Sequence, residues 1–535
     1  MQHKYLSLLV STMIVGALTA CGGGGSALDS LAMNKVALIN SGPLQGSAEA
    51  GVMSFKGIPY AAPPVGALRW RPPQEPAAWT GVRAAGSYGH DCMQKPYKGD
   101  AAPSPVGTEP SEDCLVLNVW RPDEVTPKKL PVMVWIYGGG FVNGSSAAPV
   151  YDGSKFAKQG VVLVSFNYRL GRFGFFGHPA LTKENPAGQL GNYAFMDQIA
   201  ALRWVQRNIE AFGGDANNVT IFGESAGGWS VNTLMTSPLA KGLFHKAIAE
   251  SGGGRNGIVP GRRLSETGPN GLPSAEQVGV TFASSLGVTG EDASALAALR
   301  ALPADKIVGS LNLLNVFDPT FASAMIDGQI VVDEPGNIFR SGQANKVPYM
   351  VGATNMDLGF SSAKTMDEAY APFGPANRQA AEAAFNPLGT STVSEVVARI
   401  ASDMMMVEPA RFVSQTLSAQ GVPVYEYRFS YVAAAARSQF NGAMHASELP
   451  FVFDTLNARY GASVTPQDAQ TAKLANDYWV SFAKTGNPNG IGRPEWQAYD
   501  TKSDTLLEFS PDGAEKTRSV PDAWKARLDL IQKLY

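Results

Sequence analysis

Histidine and cysteine are scarce in this chain: its 535 residues include five of the first and three of the second. So few thiols exclude a disulfide-dense scaffold, and two isolated thiols, Cys92 and Cys114, cannot fill a zinc shell. Charge is thin as well. Charged residues make up 17% of the chain, against a usual share of about 25%. The net charge is −3, which leaves no basic footprint and excludes a nucleic-acid partner. A long apolar run is also missing, since the run from Leu6 to Leu18 falls short of the roughly 20 residues that span a bilayer. No repeat occurs, and no linker-like stretch divides the chain after residue 30. Residues 31–535 therefore read as one domain, although a length prior of about 150 residues per domain would give three or four. Hydrophobic residues, at 44%, are enough for a large core. Nothing in the chain calls for a metal or a cofactor.

The N-terminus reads as a targeting segment. Lys4 supplies a minimal positive region, the apolar run follows, and Leu18-Thr19-Ala20-Cys21 closes it. That tetrapeptide resembles the lipobox of bacterial lipoproteins. The resemblance implies cleavage before Cys21, acylation of its thiol and new amine, and anchoring in the cell envelope. Cys21 is not followed by Asp, which points to the outer membrane. A plain cleaved signal, leaving a periplasmic or secreted protein, is the alternative. Gly22–Gly25 and Ser26 read as a flexible tether within 21–30. Loss of residues 1–20 removes only Lys4, taking the charge from −3 to −3 − 1 = −4. With Cys21 assigned to lipid, Cys92 and Cys114 form an even pair, and an oxidising compartment permits a disulfide between them.

Apolar strand-like runs alternate with helical stripes. Pro131–Tyr137, Val161–Asn167, Val219–Phe222, Lys246–Glu250, Val347–Gly352 and Val422–Phe429 read as strands. Phe195–Phe212 carries Ile199, Leu202, Val205 and Ile209 at helical spacing. The alternation predicts an α/β fold with a mostly parallel sheet and helices on both faces. Residues 255–320, richer in Gly, Pro, Ser and Ala, read as an insertion of loops and short helices over the sheet edge and the site.

Gly223-Glu224-Ser225-Ala226-Gly227 falls between the strand ending at Phe222 and a predicted helix. The bend there is tight, and glycine two positions either side of Ser225 relieves its crowding, so that the hydroxyl stands exposed as a nucleophile. Upstream, Tyr137-Gly138-Gly139-Gly140-Phe141 follows a buried strand. Glycines let bare N–H groups approach a developing oxyanion, and the donors assigned are those of Gly139, Gly140 and Ala226. A general base is then required. His3 leaves with the signal, His90 and His178 lie on early loops, and His245 leads directly into a strand. His445 alone stands where the chain order of nucleophile, acid and histidine puts the base. The acid belongs at a strand end between them. Asp357 is the first carboxylate after Pro348–Gly352, with Asp327, Asp333 and Glu334 as competitors.

With those residues the chain resembles the type-B carboxylesterase family of the α/β-hydrolase fold, which includes cholinesterases and bacterial para-nitrobenzyl esterases. The resemblance covers roughly 32–535 and rests on Phe55–Ala61 (FKGIPYA), Ser111–Leu115 (SEDCL) with Leu117–Val119, Gly223–Gly228 (GESAGG) and Thr485–Pro488 (TGNP). It implies ester hydrolysis through an acyl-enzyme. It places the acid five residues after a strand-ending Gly, and Gly352 plus five is Asp357, an Asp where Glu is usual. Thr354 stands where Asn is usual and Leu358 where Gly is usual. The family disulfide maps onto Cys92–Cys114, a structural ion pair onto Arg69 and Glu112, and a buried glutamate near the site onto Glu224.

The disulfide loop, residues 93–113, has Tyr97 as its one aromatic and no Trp. That disfavours choline esters, and its shortness disfavours an interfacial lid. Trp229, one helical turn after Ser225, either lines the acyl pocket or packs under its helix. An outward-facing anchored esterase would meet aryl or polymeric esters too large to import. An amidase or carbamate hydrolase with the same triad, and a binding homologue that has lost catalysis, are the other readings.

Overall fold

The computed structural model describes residues 35–97, 102, 108–124, 127–256 and 261–535. The targeting segment 1–20, Cys21 and the tether 21–30 lie outside the described residues. Among those described, no helix is long and apolar enough to cross a membrane.

An eleven-stranded sheet organises the chain. In spatial order its strands are Arg518–Pro521, Thr505–Phe509, Val424–Phe429, Tyr349–Thr354, Lys246–Glu250, Gly214–Glu224, Leu130–Ile136, Val162–Phe166, Val116–Pro122, Val52–Pro59 and Ser47–Glu49. From Thr505–Phe509 to Val162–Phe166 neighbours run parallel. Antiparallel strands close both edges. Every residue of Val162–Phe166, Lys246–Glu250, Tyr349–Thr354 and Val424–Phe429 is buried. Covered on both faces, such strands have no solvent side to alternate with, so they read mostly apolar, and Lys246, Glu250, Glu426 and Arg428 are charged groups that the fold buries. Among the helices, Tyr193–Asn208 buries Ile199, Leu202 and Val205, and Pro466–Thr485 starts from the capping hydroxyl of Thr465. This is the α/β-hydrolase architecture.

Aromatic packing supports the strands that carry the site. Trp135 meets Phe222 at 4.8 Å, Tyr151 at 4.9 Å and Phe453 at 5.0 Å. A smaller cluster that includes Tyr370, Phe385, Val396 and Leu528 sits apart from the main core.

Two expectations need adjustment. The strand read as Val219–Phe222 runs from Gly214 to Glu224, because Gly214 already pairs with Leu130 before a register shift at Val219. The insertion does form short helices, at Ala275–Ser285, Ala293–Ala301 and Ala304–Val308. Its helices lie against Gly171–Gly174, Phe175–Phe176 and Pro179–Glu184 rather than along a sheet edge. Its turn Leu313–Asn315 reaches the glycine loop: a Cβ on Gly140 would come within 3.2 Å of Leu313 and 3.0 Å of Val316.

Cys92 and Cys114 are joined by a disulfide. Beside it the Arg69 guanidinium donates to Glu112 at 2.8 Å and to the carbonyls of Arg300 and Leu302 at 2.9 and 2.7 Å. One buried cation thus ties the disulfide loop to the insertion, consistent with the structural role its family position implies.

Candidate active site

The nucleophile bend is as cramped as the glycine spacing requires. Ser225 has φ 56° and ψ −124°, outside the regions an L-residue prefers. A Cβ on Gly227 would lie 1.9 Å from the carbonyl oxygen of Ile136, and one on Gly223 would lie 2.6 Å from Gly227. The bend is clamped from both sides: Ser225 N–H donates to Glu250 O at 2.9 Å, and Trp229 N–H donates to Ser225 O at 2.8 Å. Phe141, Ser251 and Ala446 also have positive φ. Strain of this kind persists only where the surroundings over-determine it.

Three of the expected residues come together. Ser225 Oγ is 2.9 Å from Nε2 of His445, and Nδ1 of His445 is 2.6 Å from Oδ1 of Asp357. Asp357 Oδ2 accepts from Ser251 Oγ at 2.6 Å and from Thr354 N–H at 2.9 Å, and Oδ1 accepts from Leu358 N–H at 2.7 Å. The two positions that depart from the family pattern, 354 and 358, thus serve the acid through backbone N–H groups, which do not depend on the side chain. The competing carboxylates are used elsewhere. Asp327 accepts from Asn192 at 2.7 Å and from the N–H groups of its own turn, and Asp333 accepts from Asn337 at 3.0 Å. A Cβ on Gly261 would strike the carboxyl of Glu334. Two other histidines serve backbone: His178 caps Pro179–Glu184 and His245 accepts from Val219 N–H. His90 Nδ1 lies 2.9 Å from Glu109 O.

The glycine loop lies alongside the bend. A Cβ on Gly138 would come 2.9 Å from Ser225 Cβ, and Gly139 and Gly140 have φ 104° and 61°. The carbonyl of Gly139 is taken by Val142 and Asn143 N–H, which closes the turn. No acceptor among the described residues takes the N–H groups of Gly139, Gly140 or Ala226.

The electrostatics around His445 contain more than the sequence reading allowed. Glu224 Oε1 lies 3.2 Å from His445 Nε2, the same nitrogen that faces Ser225. Burial pulls the imidazole pKa down, but the charges of Glu224 and Asp357 outweigh it and raise it to about 10. Burial likewise pushes Asp357 up, and the charge and hydrogen bonds of His445, with those of Ser251 and Leu358, bring it below its ordinary value. Behind this pair, burial raises Glu250 and Glu448 to about 8, and the charge of Glu448 is a further influence raising the imidazole. Glu250 Oε1 accepts from Trp479 Nε1 at 2.8 Å. Ser251 and Glu250 went unrecognised in the sequence. The signal was a polar pair, Glu250 and Ser251, closing the short run Ala247–Ala249.

Trp229 packs against the main core, as one of its two readings expects, and it also borders a cavity of about 80 Å³ with Phe195, Gly252, Met325 and Val331. Gly253 makes this possible, since its Cβ would lie 2.7 Å from the indole nitrogen.

A mostly parallel sheet with a strained serine at a strand–helix bend, and a histidine and carboxylate at the ends of later strands, defines an α/β-hydrolase. Comparison with known proteins narrows the class. The chain belongs to the carboxylesterase family, whose pattern matches residues 33–524. It is 38% identical to the fumonisin B1 esterase of Sphingopyxis macrogoltabida over 89% of this chain and 86% of that protein. It is 36% identical to the para-nitrobenzyl esterase of Bacillus subtilis (strain 168) over 90% and 97%. A solved PNB esterase structure superposes with a TM-score of 0.77 at 33% identity, covering 94% of this chain and 99% of that one. The chain is a carboxylic-ester hydrolase.

The titration of His445 follows from its surroundings. A carboxylate stabilises the protonated imidazole, so the ring should hold its proton well above the ordinary value of about 6.5. Glu224→Gln removes the largest of the raising influences and should move the titration to lower pH, read by NMR of the imidazole nitrogens. A midpoint that stays put in Glu224→Gln would show that Glu224 does not act on the ring.

Proposed function

We propose that Ser225, His445 and Asp357 carry out ester hydrolysis in two acyl-transfer steps. The reading rests on one observation: the ring of His445 bridges Ser225 Oγ and Asp357 Oδ1 at 2.9 and 2.6 Å. Neutral His445 takes the Ser225 proton through Nε2 as Oγ bonds to the carbonyl carbon. The carbonyl oxygen, now an anion, is met by the N–H groups of Gly139, Gly140 and Ala226, which need no reorganisation to receive it. The carbon–oxygen bond to the alcohol then breaks, His445 passes its proton to the departing oxygen, and an acyl-Ser225 remains. Water, deprotonated by His445, repeats the sequence and releases the acid. Asp357 keeps the proton of Nδ1 in place and favours the imidazolium without itself becoming protonated. Glu224, at 3.2 Å from Nε2, adds to that stabilisation.

The cavity beside Trp229 is assigned to the acyl group. Its wall includes Trp229, one helical turn after Ser225 in the chain, with Phe195, Met325, Ile326 and Val331, and it is completed by polar groups that include Arg255 and Glu334. At the other end of the chain we assign residues 1–20 to export, Cys21 to lipid attachment and 21–30 to the tether, with the catalytic domain from 31 onward. The Leu-Thr-Ala-Cys sequence supports this. Held outside the cell, the enzyme meets aryl and polymeric esters that cannot be imported.

Ser225→Ala should abolish hydrolysis of para-nitrophenyl butyrate, and His445→Ala should slow it by more than about 10³-fold while circular dichroism stays native. An unchanged rate in Ser225→Ala sinks the mechanism. Trp229→Ala enlarges the acyl cavity, so kcat/KM should shift toward longer acyl chains by about fourfold per added methylene, the value of one buried CH₂. An unaltered chain-length profile would remove Trp229 from the acyl site. Cys21→Ala should move the enzyme from the membrane fraction to the soluble one and end incorporation of labelled palmitate. Labelling that persists in the variant would place the lipid elsewhere.

A further inference from the structure

Tyr535 apart, the exposed aromatic and sulfur-bearing side chains among the described residues gather in one place. Among the described residues the exposed phenylalanines are Phe317, Phe360 and Phe440, and the exposed methionines are Met356 and Met444. Each belongs to a segment that forms the mouth of the site. Met356 precedes Asp357 and Met444 precedes His445. The two pair across an isolated parallel bridge, with Met356 N–H donating to Ala443 O at 2.9 Å. In extended chain successive side chains point to opposite sides. The side chain of Asp357 is fully buried, while Met356 and Met444 are 38% and 36% exposed. Phe440 precedes Gly442, whose Cβ would meet the Met356 side chain at 2.6 Å. Phe360 lies three residues past the acid. Its loop is seated by Gly359, where a Cβ would lie 2.1 Å from the backbone of Ala401. Phe317 comes from the insertion, beside Val316 above Gly140.

The rings of Phe317 and Phe360 meet edge to face, 5.1 Å apart at 89°. They are 66% and 50% exposed, so their pairing leaves most of the ring surface in water. This pair joins the oxyanion wall to the wall carrying acid and base. Large exposed apolar groups clustered at one opening mark a binding surface rather than scattered surface residues.

We propose that this rim binds a bulky, ring-bearing apolar group on the alcohol side of the ester. The proposal rests on the reading of Ser225 and His445 given above and adds the substrate class. The side follows from the chemistry: the alcohol oxygen receives its proton from His445, so the leaving group passes the residues that flank His445 and Asp357. The acyl group is accommodated by the cavity at Trp229. Two rings at right angles offer a face and an edge together, which suits a flat aromatic guest, and methionine adapts its shape to fill the remaining contact.

The test compares two acetates that leave as primary alcohols, 2-naphthylmethyl acetate and ethyl acetate. Both form the same acetyl-enzyme, so the ratio of their kcat/KM values isolates recognition of the alcohol. Wild type should favour the naphthylmethyl ester, and Phe317→Ala with Phe360→Ala should lower the ratio by about tenfold. Phe317→Leu with Phe360→Leu, which retains apolar bulk, should lower it less and keeps the test available if the alanine variant folds poorly. A ratio within about twofold of wild type in both variants, with Ser225→Ala inactive on both esters, overturns the rim alone. Hydrolysis of either ester by Ser225→Ala overturns the site reading, and this proposal with it.

Discussion

The site depends on a contact between two backbones. The carbonyl of Ile136, at the end of one strand, occupies the space a side chain at position 227 would need, 1.9 Å from the position of its Cβ. Close packing at this point holds Ser225 at φ 56°. A looser bend would let the serine relax toward an ordinary conformation and swing the hydroxyl from His445. The same approach brings the strand end, and so Gly138–Gly140, beside the nucleophile. Position and polarity are therefore set by one constraint: the crowding that strains Ser225 also brings the donor loop alongside it. The stability for this comes from below, where Trp135, Phe222 and Phe453 pack the two strands together.

Charge at the site is arranged around one imidazole. Asp357 approaches Nδ1 and Glu224 approaches Nε2, so in the proposed mechanism an imidazolium at His445 is stabilised from both ends. Stabilisation on that scale holds a proton on the resting ring as well, which works against a base. Glu448 adds to the effect, since its charge also raises the ring. Burial opposes it by pushing Glu250 and Glu448 up, which disfavours the charged form of each.

The sequence carried the parts of this arrangement that are local. Alternating runs predicted the sheet, Gly223 and Gly227 predicted the bend, and with five histidines in the chain elimination could reach His445. Asp357 was harder, since Asp327, Asp333 and Glu334 stood as competitors, and only the structure shows Asp357 at Nδ1 of His445 while Asp327 and Asp333 bond to Asn192 and Asn337. Contacts across the sheet were not legible. Glu224 could be expected near the site, but its direct approach to Nε2 depends on how one residue of a strand faces a loop more than two hundred positions away. Ser251 reaches Asp357 only because neighbouring strands end together. The insertion reaches the site as expected, at Leu313 and Val316 beside Gly140, but its helices do not follow the sheet edge, because composition marks a loop-rich segment without marking what it packs on.

The bridge between Met356 and Met444 unites chemistry and recognition in one local structure. Ala443 N–H donates to Asn355 Oδ1 at 2.7 Å and Ala443 O accepts from Met356 N–H, so the acid and base loops are zipped together one residue before each functional side chain. Alternation along extended chain then separates the roles. Asp357 and His445 turn inward to the nucleophile, and the methionines turn outward to the rim. A shift of one residue in either loop would exchange the two sets, burying an apolar side chain where Nδ1 of His445 meets a carboxylate and exposing the carboxylate to water. The pairing that aligns acid with base therefore also determines that the surface around the opening is apolar.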